Sequence, residues 1–306
     1  ELRKLAASER PELESEISRL TSRLRSEGQE DTPEAWQRVQ TARHPKRPTA
    51  MDHISQIADR FYELHGDRAY GDDQALIGGI ASIDGRYVTI LGHQKGRTMK
   101  ENLIRNYGMG HPEGYRKALR LAKQAEKFRR PIITFIDTPG AYPGLASEER
   151  GIAQAIAENL KAFSVLRTPI ICVVIGEGGS GGALGIGVGD RTYMMENTIY
   201  SVISPEGFAS ILLRDSSKAK EAATLMRLTA PDLLSFGLID GIIPEPPGGA
   251  HTDPAYSAGR VRLQLTESLK ELSGKSIDLL LRERSQRILS FGAHREPPKK
   301  RGLFGR

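Results

Sequence analysis

The sequence predicts an α/β protein with mostly buried strands. Three observations carry that expectation. From about residue 50, short apolar runs alternate with longer amphipathic segments. The runs are nearly continuous, as expected of strands covered on both faces. Glycines directly follow the run Pro169–Ile175, and eight of the chain's 32 fall within residues 176–189.

Leu13, Ile17, Leu20 and Leu24 form one apolar stripe on an amphipathic helix. Gly28–Pro33 break it, Ala35–Thr41 suit a second short helix, and His44–Thr49, with two prolines, read as a linker. Residues 1–49 are therefore expected to be a helical region plus linker. Buried strands are expected at Tyr87–Leu91, Pro131–Ile136, Pro169–Ile175 and Leu238–Ile243. Helices are expected at Glu113–Phe128 and Ser147–Phe163, the second opened by Ser147 as N-cap with Glu148 and Glu149 in its first turn. Ala183–Val188 reads as a tightly packed helix. Beyond Pro205 the pattern is mainly helical, and Asp253 to about Leu289 closes a domain spanning 50–290 with long helices. Residues 291–306 form a basic tail expected to be disordered.

Composition narrows the function classes. In 306 residues, 38% are apolar and 27% charged, which excludes a low-hydrophobicity disordered chain. The longest apolar run, Pro169–Ile175, is far short of the ~20 residues of a membrane-spanning helix. A single cysteine, Cys172, excludes a disulfide framework and a cysteine-cluster zinc site, and it reads as core. The formal charge of +6 invites a nucleic-acid reading. However, the tail supplies +4 of it through Arg295, Lys299, Lys300, Arg301 and Arg306 against Glu296, leaving a nearly balanced body. A binding module acting through that tail is the minority reading. Nothing near Glu1 has a signal-peptide pattern, so the chain reads as cytoplasmic.

The glycine-rich turn at 176–189 admits several readings. Glycine lets a ligand approach backbone N–H groups, and the helix start that follows would present free donors and partial positive charge. Gly176-Glu-Gly178-Gly-Ser-Gly181 satisfies a dinucleotide pattern, with Glu196 about twenty residues on. Gly178-Gly-Ser180-Gly-Gly182 equally satisfies the nucleophile elbow of serine hydrolases, although Ser180 also reads as a small turn residue. Asp137-Thr-Pro-Gly140 is similar to a GTPase turn but lacks a supporting P-loop, because Leu269 stands where Gly274-Lys-Ser would need a glycine. The last reading joins two turns. Asp137–Gly144 and Gly176–Gly189 both follow a buried strand and precede a helix. Together they could aim N–H groups at one developing oxyanion, worth ~10²–10³ in rate per donor. Against this stands tight packing, which also demands glycine at Gly181 and Gly182, and a capping role for Asp137.

Five segments in succession carry a resemblance: Gly92-His-Gln-Lys-Gly-Arg97, Pro112-Glu-Gly-Tyr-Arg-Lys-Ala-Leu-Arg120, Asp137–Gly144, Gly176–Gly189 and Ser204-Pro-Glu-Gly-Phe-Ala-Ser-Ile-Leu212. The chain resembles the acetyl-CoA carboxylase carboxyltransferase alpha subunits of bacteria and plastids, from the first helix to about residue 290. It departs from their usual pattern at Gly110-His111 and at Phe208. The resemblance implies a crotonase-like (ClpP/crotonase) superhelix of β-β-α units with added N-terminal and C-terminal helices. It implies transfer of a carboxyl group from carboxybiotin, on a biotin carboxyl carrier protein, to acetyl-CoA, giving malonyl-CoA for fatty acid synthesis. It also implies a beta subunit in an alpha2beta2 heterotetramer, with zinc only in beta, and a biotin carboxylase as further partner. No covalently bound cofactor, metal or membrane is implied for this chain.

On that resemblance, N–H donors of Gly181, Gly182 and Ala183 are expected to face the biotin ureido oxygen. Gly140, Ala141, Tyr142, Gly178 and Gly179 are expected to shape the pocket, with His93, Lys95 and Arg97 as further binding residues. The basic stripe of Arg116, Arg120, Lys123 and Lys127 is expected to be a solvated helix face. A serine hydrolase using Ser180 is the alternative.

Overall fold

The computed structural model describes residues 33–292, so the stripe Leu13–Leu24 and the tail from 293 lie outside the described residues. The chain opens with α1 (Pro33–Ala42) and α2 (Ala50–Ile57), then β1 (Arg60–Glu63), β2 (Leu76–Ile83), β3 (Arg86–His93) and α3 (Met99–Ile104). There follow α4 (Pro112–Lys127), β4 (Ile132–Thr138), α5 (Leu145–Glu149), α6 (Ile152–Val165), β5 (Ile170–Gly179) and α7 (Ser180–Leu184). The last third holds β6 (Arg191–Met195), β7 (Ile199–Ser201), α8 (Pro205–Leu212), α9 (Ala219–Met226), α10 (Ala230–Ser235), β8 (Gly241–Ile243), α11 (Pro254–Ser273) and α12 (Ile277–Ser290). The strands form one sheet in the order β1-β2-β3-β4-β5-β6-β8. β1 to β3 are antiparallel, and the rest run parallel.

The apolar runs divide between two cores because successive side chains point to opposite faces of a sheet. Ile171, Val173 and Ile175 join the core beneath α2 and α11, while Ile170, Cys172 and Val174 join the one beneath α4 and α6. Val261, Leu265, Leu269 and Leu272 give α11 its stripe at helical spacing. Arg284 of α12 is fully buried, clasping Asp190 with two hydrogen bonds of 2.8 Å and donating to the Phe163, Leu166 and Thr168 carbonyls.

Several expectations need correction. Four strands, β1, β2, β6 and β7, escaped the pattern of apolar runs. β2 carries Gly78 and Gly79 because neighbours crowd it: a Cβ on Gly79 would lie 2.2 Å from the Tyr62 carbonyl. The expected strand at Leu238 begins only at Gly241, and Tyr87, near the start of β3, is exposed. Ser147 is not an N-cap. It is buried inside the short α5, its hydroxyl 2.7 Å from His111 Nδ1, and left-handed Gly151 (φ 80°) separates α5 from the longer α6. The helix expected at Ala183–Val188 is a single turn beginning earlier, at Ser180. The basic stripe of α4 is only half solvated. Arg116 pairs with Asp67 at 2.7 Å and Arg120 donates to the Gly66 and His65 carbonyls, so both hold the loop at 65–72. Lys117, next in sequence, is buried against Asp72 at 2.5 Å. Within His44–Thr49, Arg47 is buried, paired with Glu245 and donating to the Ile175 carbonyl at 2.5 Å, which ties that segment to β5.

Candidate functional site

The C-terminal ends of β4 and β5 bring the two glycine turns together. A bulge between Ile136 and Thr138 lets Thr138 pair with Gly178, and the last residues of β5 leave β6 to pair with β7. The turn after β4 then lies directly on the turn after β5. A Cβ on Gly179 would sit 2.1 Å from the Pro139 carbonyl oxygen, and one on Gly182 would sit 2.4 Å from Ala141 N. A Cβ on Gly178 would lie 2.6 Å from Cδ2 of the Tyr200 ring. These three glycines are therefore required by packing. Gly181 differs, because a Cβ there would meet only Ile156 carbons at 3.9 Å. Its lack of a side chain leaves open space at the start of α7, where the first N–H groups of a helix have no intrahelical acceptor. Ser180 enters this turn in the left-handed region, at φ 53°.

The other sequence candidates separate by depth. Gly140 and Ala141 form the contact face of the first turn, whereas Tyr142 donates its N–H to Gly110 and its ring lies 4.5 Å from that of His111. His93 is fully buried below the turns. Its ring lies beside the Gly182 backbone without hydrogen-bonding geometry, and both nitrogens lack protein partners among the described residues. Burial pushes its imidazole down to about 3, so it is neutral at physiological pH. Arg97 is turned toward Asp52.

Lys95 is at the centre of a charged network that sequence patterning did not reveal. Its Nζ lies 2.7 Å from Asp137 Oδ1 and 3.0 Å from Glu177 Oε2. Glu177 also accepts from Arg43 Nε at 2.6 Å, and Arg43 reaches Glu206 at 2.6 Å. The Glu177 N–H donates to Asp137 Oδ1 at 3.0 Å. Lys95 thus bridges the strand ends that launch both turns. Burial disfavours its charge, yet Asp137 and Glu177 raise its pKa. Burial likewise opposes ionisation of Glu177, but Lys95 and Arg43 hold its carboxyl below the ordinary range. The only hint in the sequence was the position of Asp137 and Glu177 at the ends of apolar runs.

A cavity of about 400 Å³ opens beside this network, lined by Arg43, Arg47, Lys95, Arg97, Asn102 and Tyr107. A larger one, about 790 Å³, lies at the opposite end of the sheet among Arg86, Pro131, Pro169 and Leu280, remote from both turns. Among the described residues no group of histidine, cysteine and acidic side chains is arranged to hold a metal ion. None of the described helices is long and apolar enough to cross a membrane.

Residues 1–292 match the family model described as acetyl co-enzyme A carboxylase carboxyltransferase-like. The chain belongs to this family. It is 56% identical over 285 residues to the acetyl-coenzyme A carboxylase carboxyl transferase subunit alpha of Treponema denticola, covering 93% of each chain. It is 54% identical to the protein of the same description from Bacillus subtilis, covering 95% of this chain and 90% of that one. Its function is that of a carboxyltransferase alpha subunit, an enzyme of the biotin-dependent class, and the serine hydrolase reading has no support. Consistent with that, no histidine or carboxylate hydrogen-bonds to Ser180 among the described residues.

Similar folds occur in solved structures. Transcarboxylase 12S matches with a TM-score of 0.62 at 21% identity, covering 86% of this chain and 47% of that one. A Pseudomonas malonate decarboxylase hetero-tetramer in complex with coenzyme A matches with a TM-score of 0.62 at 22% identity, covering 79% and 96%. The fold is the crotonase-like fold of these carboxyltransferases.

Proposed function

We propose that the paired glycine turns hold the carboxybiotin end of the reaction, with acetyl-CoA as acceptor. The observation that carries this reading is the contrast between packed Gly182 and open Gly181, which leaves unfilled space beside the first N–H groups of α7. When biotin gives up its carboxyl group, negative charge is left on its ureido oxygen. The N–H groups of Gly181, Gly182 and Ala183 stabilise that charge, aided by the dipole of the first helical turn. The same biotin, once basic, takes the methyl proton of acetyl-CoA. No side-chain base is needed, which accords with neutral, buried His93 and fully paired Lys95.

Within this reading Gly140 and Ala141 seat the second turn, Gly178 and Gly179 close the wall, and Tyr142 borders the opening. Lys95 fixes the spacing of the turns and Arg97 supports the adjoining cavity, while His93 acts only from below. The chain works with a beta subunit that carries any zinc, as an alpha2beta2 assembly in the cytoplasm, served by a biotin carboxyl carrier protein and a biotin carboxylase. Co-purified with such a beta subunit, it should convert malonyl-CoA and biocytin to acetyl-CoA and carboxybiocytin. An assembled complex without that exchange would refute the proposal.

A further inference from the structure

We infer that Tyr115 is a positioning residue for the reaction, acting through the Gly182–Ala183 peptide; the inference rests on the reading of the glycine turns given above. Tyr115 lies on α4 and is fully buried. Its hydroxyl donates to the Gly182 carbonyl oxygen at 3.1 Å. That carbonyl would bond to Ile186 N–H in a continuing helix. α7 stops short instead, and Ile186 donates to the Ala183 carbonyl at 3.4 Å. Tyr115 therefore bonds to the carbonyl half of the peptide whose other half is the Ala183 N–H.

Hydrogen bonding at a carbonyl draws electron density from its amide nitrogen and makes that N–H a stronger donor. Burial pushes the phenol far above its ordinary pKa, so the hydroxyl keeps its proton throughout the working range. The ring is held from both sides. A Cβ on Gly185 would lie 2.6 Å from its Cδ1 and Cε1, and one on Gly110 would lie 3.0 Å from Cε2. Gly110 in turn accepts the N–H of Tyr142 in the first turn. Asn159 of α6, also fully buried, donates to the Gly185 carbonyl at 2.9 Å and to the carbonyl of Tyr115 itself at 3.1 Å. The Tyr115 ring thus packs between Gly185 and Gly110, which holds Tyr142 of the first turn, while its hydroxyl aligns and polarises the peptide.

The test uses the full chain co-purified with its beta subunit, assayed with malonyl-CoA and biocytin. Tyr115→Phe should lower kcat by about tenfold with KM changed by less than about twofold, while assembly is retained. Fluorotyrosines of rising phenol acidity at position 115 should raise kcat step by step with little change in Tm, a trend that a purely structural role would not give. A flat series, or a Phe variant with wild-type kcat, would overturn the inference. Gly181→Val in the same complex separates the two claims. If it abolishes transfer while Tyr115→Phe is silent, only the role of Tyr115 fails; if it transfers normally, the reading of the turns fails as well.

Discussion

Glycine has two separate roles at the candidate site. At 179 and 182 the neighbouring backbone leaves no room for a Cβ, whereas at 181 it does. Gly181→Val should therefore fold and assemble but lose about 10²-fold in kcat/KM, because the side chain would occupy the ligand's space. Gly182→Ala should instead lower Tm, because Gly140 and Ala141 must move; steady-state kinetics and a thermal melt on each variant check the pair. Lys95→Met would remove the cation that bridges Asp137 and Glu177, leaving Arg43 on Glu177 alone. It should lower kcat more than it raises KM, since the spacing of the turns is what changes. The glycine clusters were legible in the sequence as the place of chemistry. Which glycine was open was not, because that depends on Pro139, Ala141 and Tyr200 arriving from elsewhere in the chain.

The elements owe their positions to a few buried polar anchors as much as to apolar burial. α12 is held by Arg284 against Asp190. Arg284→Met should cost about 3–5 kcal/mol in chemical denaturation, because Asp190 would remain buried without its cation. Strands β4 and β5 could be read from their runs, since both faces are covered and the side chains up to Ile136 and Ile175 are apolar or small. β2 could not, because Gly78 and Gly79 are fitted to Leu121, Leu91 and the Tyr62 backbone rather than to any periodic pattern. The break between α5 and α6 was also hidden. Ser147-Glu-Glu looks like a helix start, and only the left-handed Gly151 divides the segment.

For the molecule as a whole, the buried histidines set the response to acid. Burial lowers His53 to about 4 and His93 to about 3, so the unfolded chain binds those protons first as pH falls below ordinary imidazole values. Asp73 acts in the opposite sense, since burial raises it to about 6 and the folded chain takes up its proton first. The two histidines outweigh Asp73, and the depressed carboxyls of Asp67, Asp72, Glu177 and Glu245 act in the same sense as the histidines, so stability should fall as pH drops from 6 to 4. A Tm that rose on acidification through that window would contradict this balance. The fold class and the reaction were legible because five long motifs recur in order. The network of Arg43, Lys95, Asp137, Glu177 and Glu206 was not, because its members are scattered over more than 160 positions of sequence. The oxyanion role requires that the backbone donors at the start of α7 face biotin. A structure of the assembled complex with bound biocytin tests it most directly. The ureido oxygen should lie about 3 Å from an N–H of Gly181, Gly182 or Ala183, whereas biocytin bound with that oxygen turned away from the turn would contradict the account.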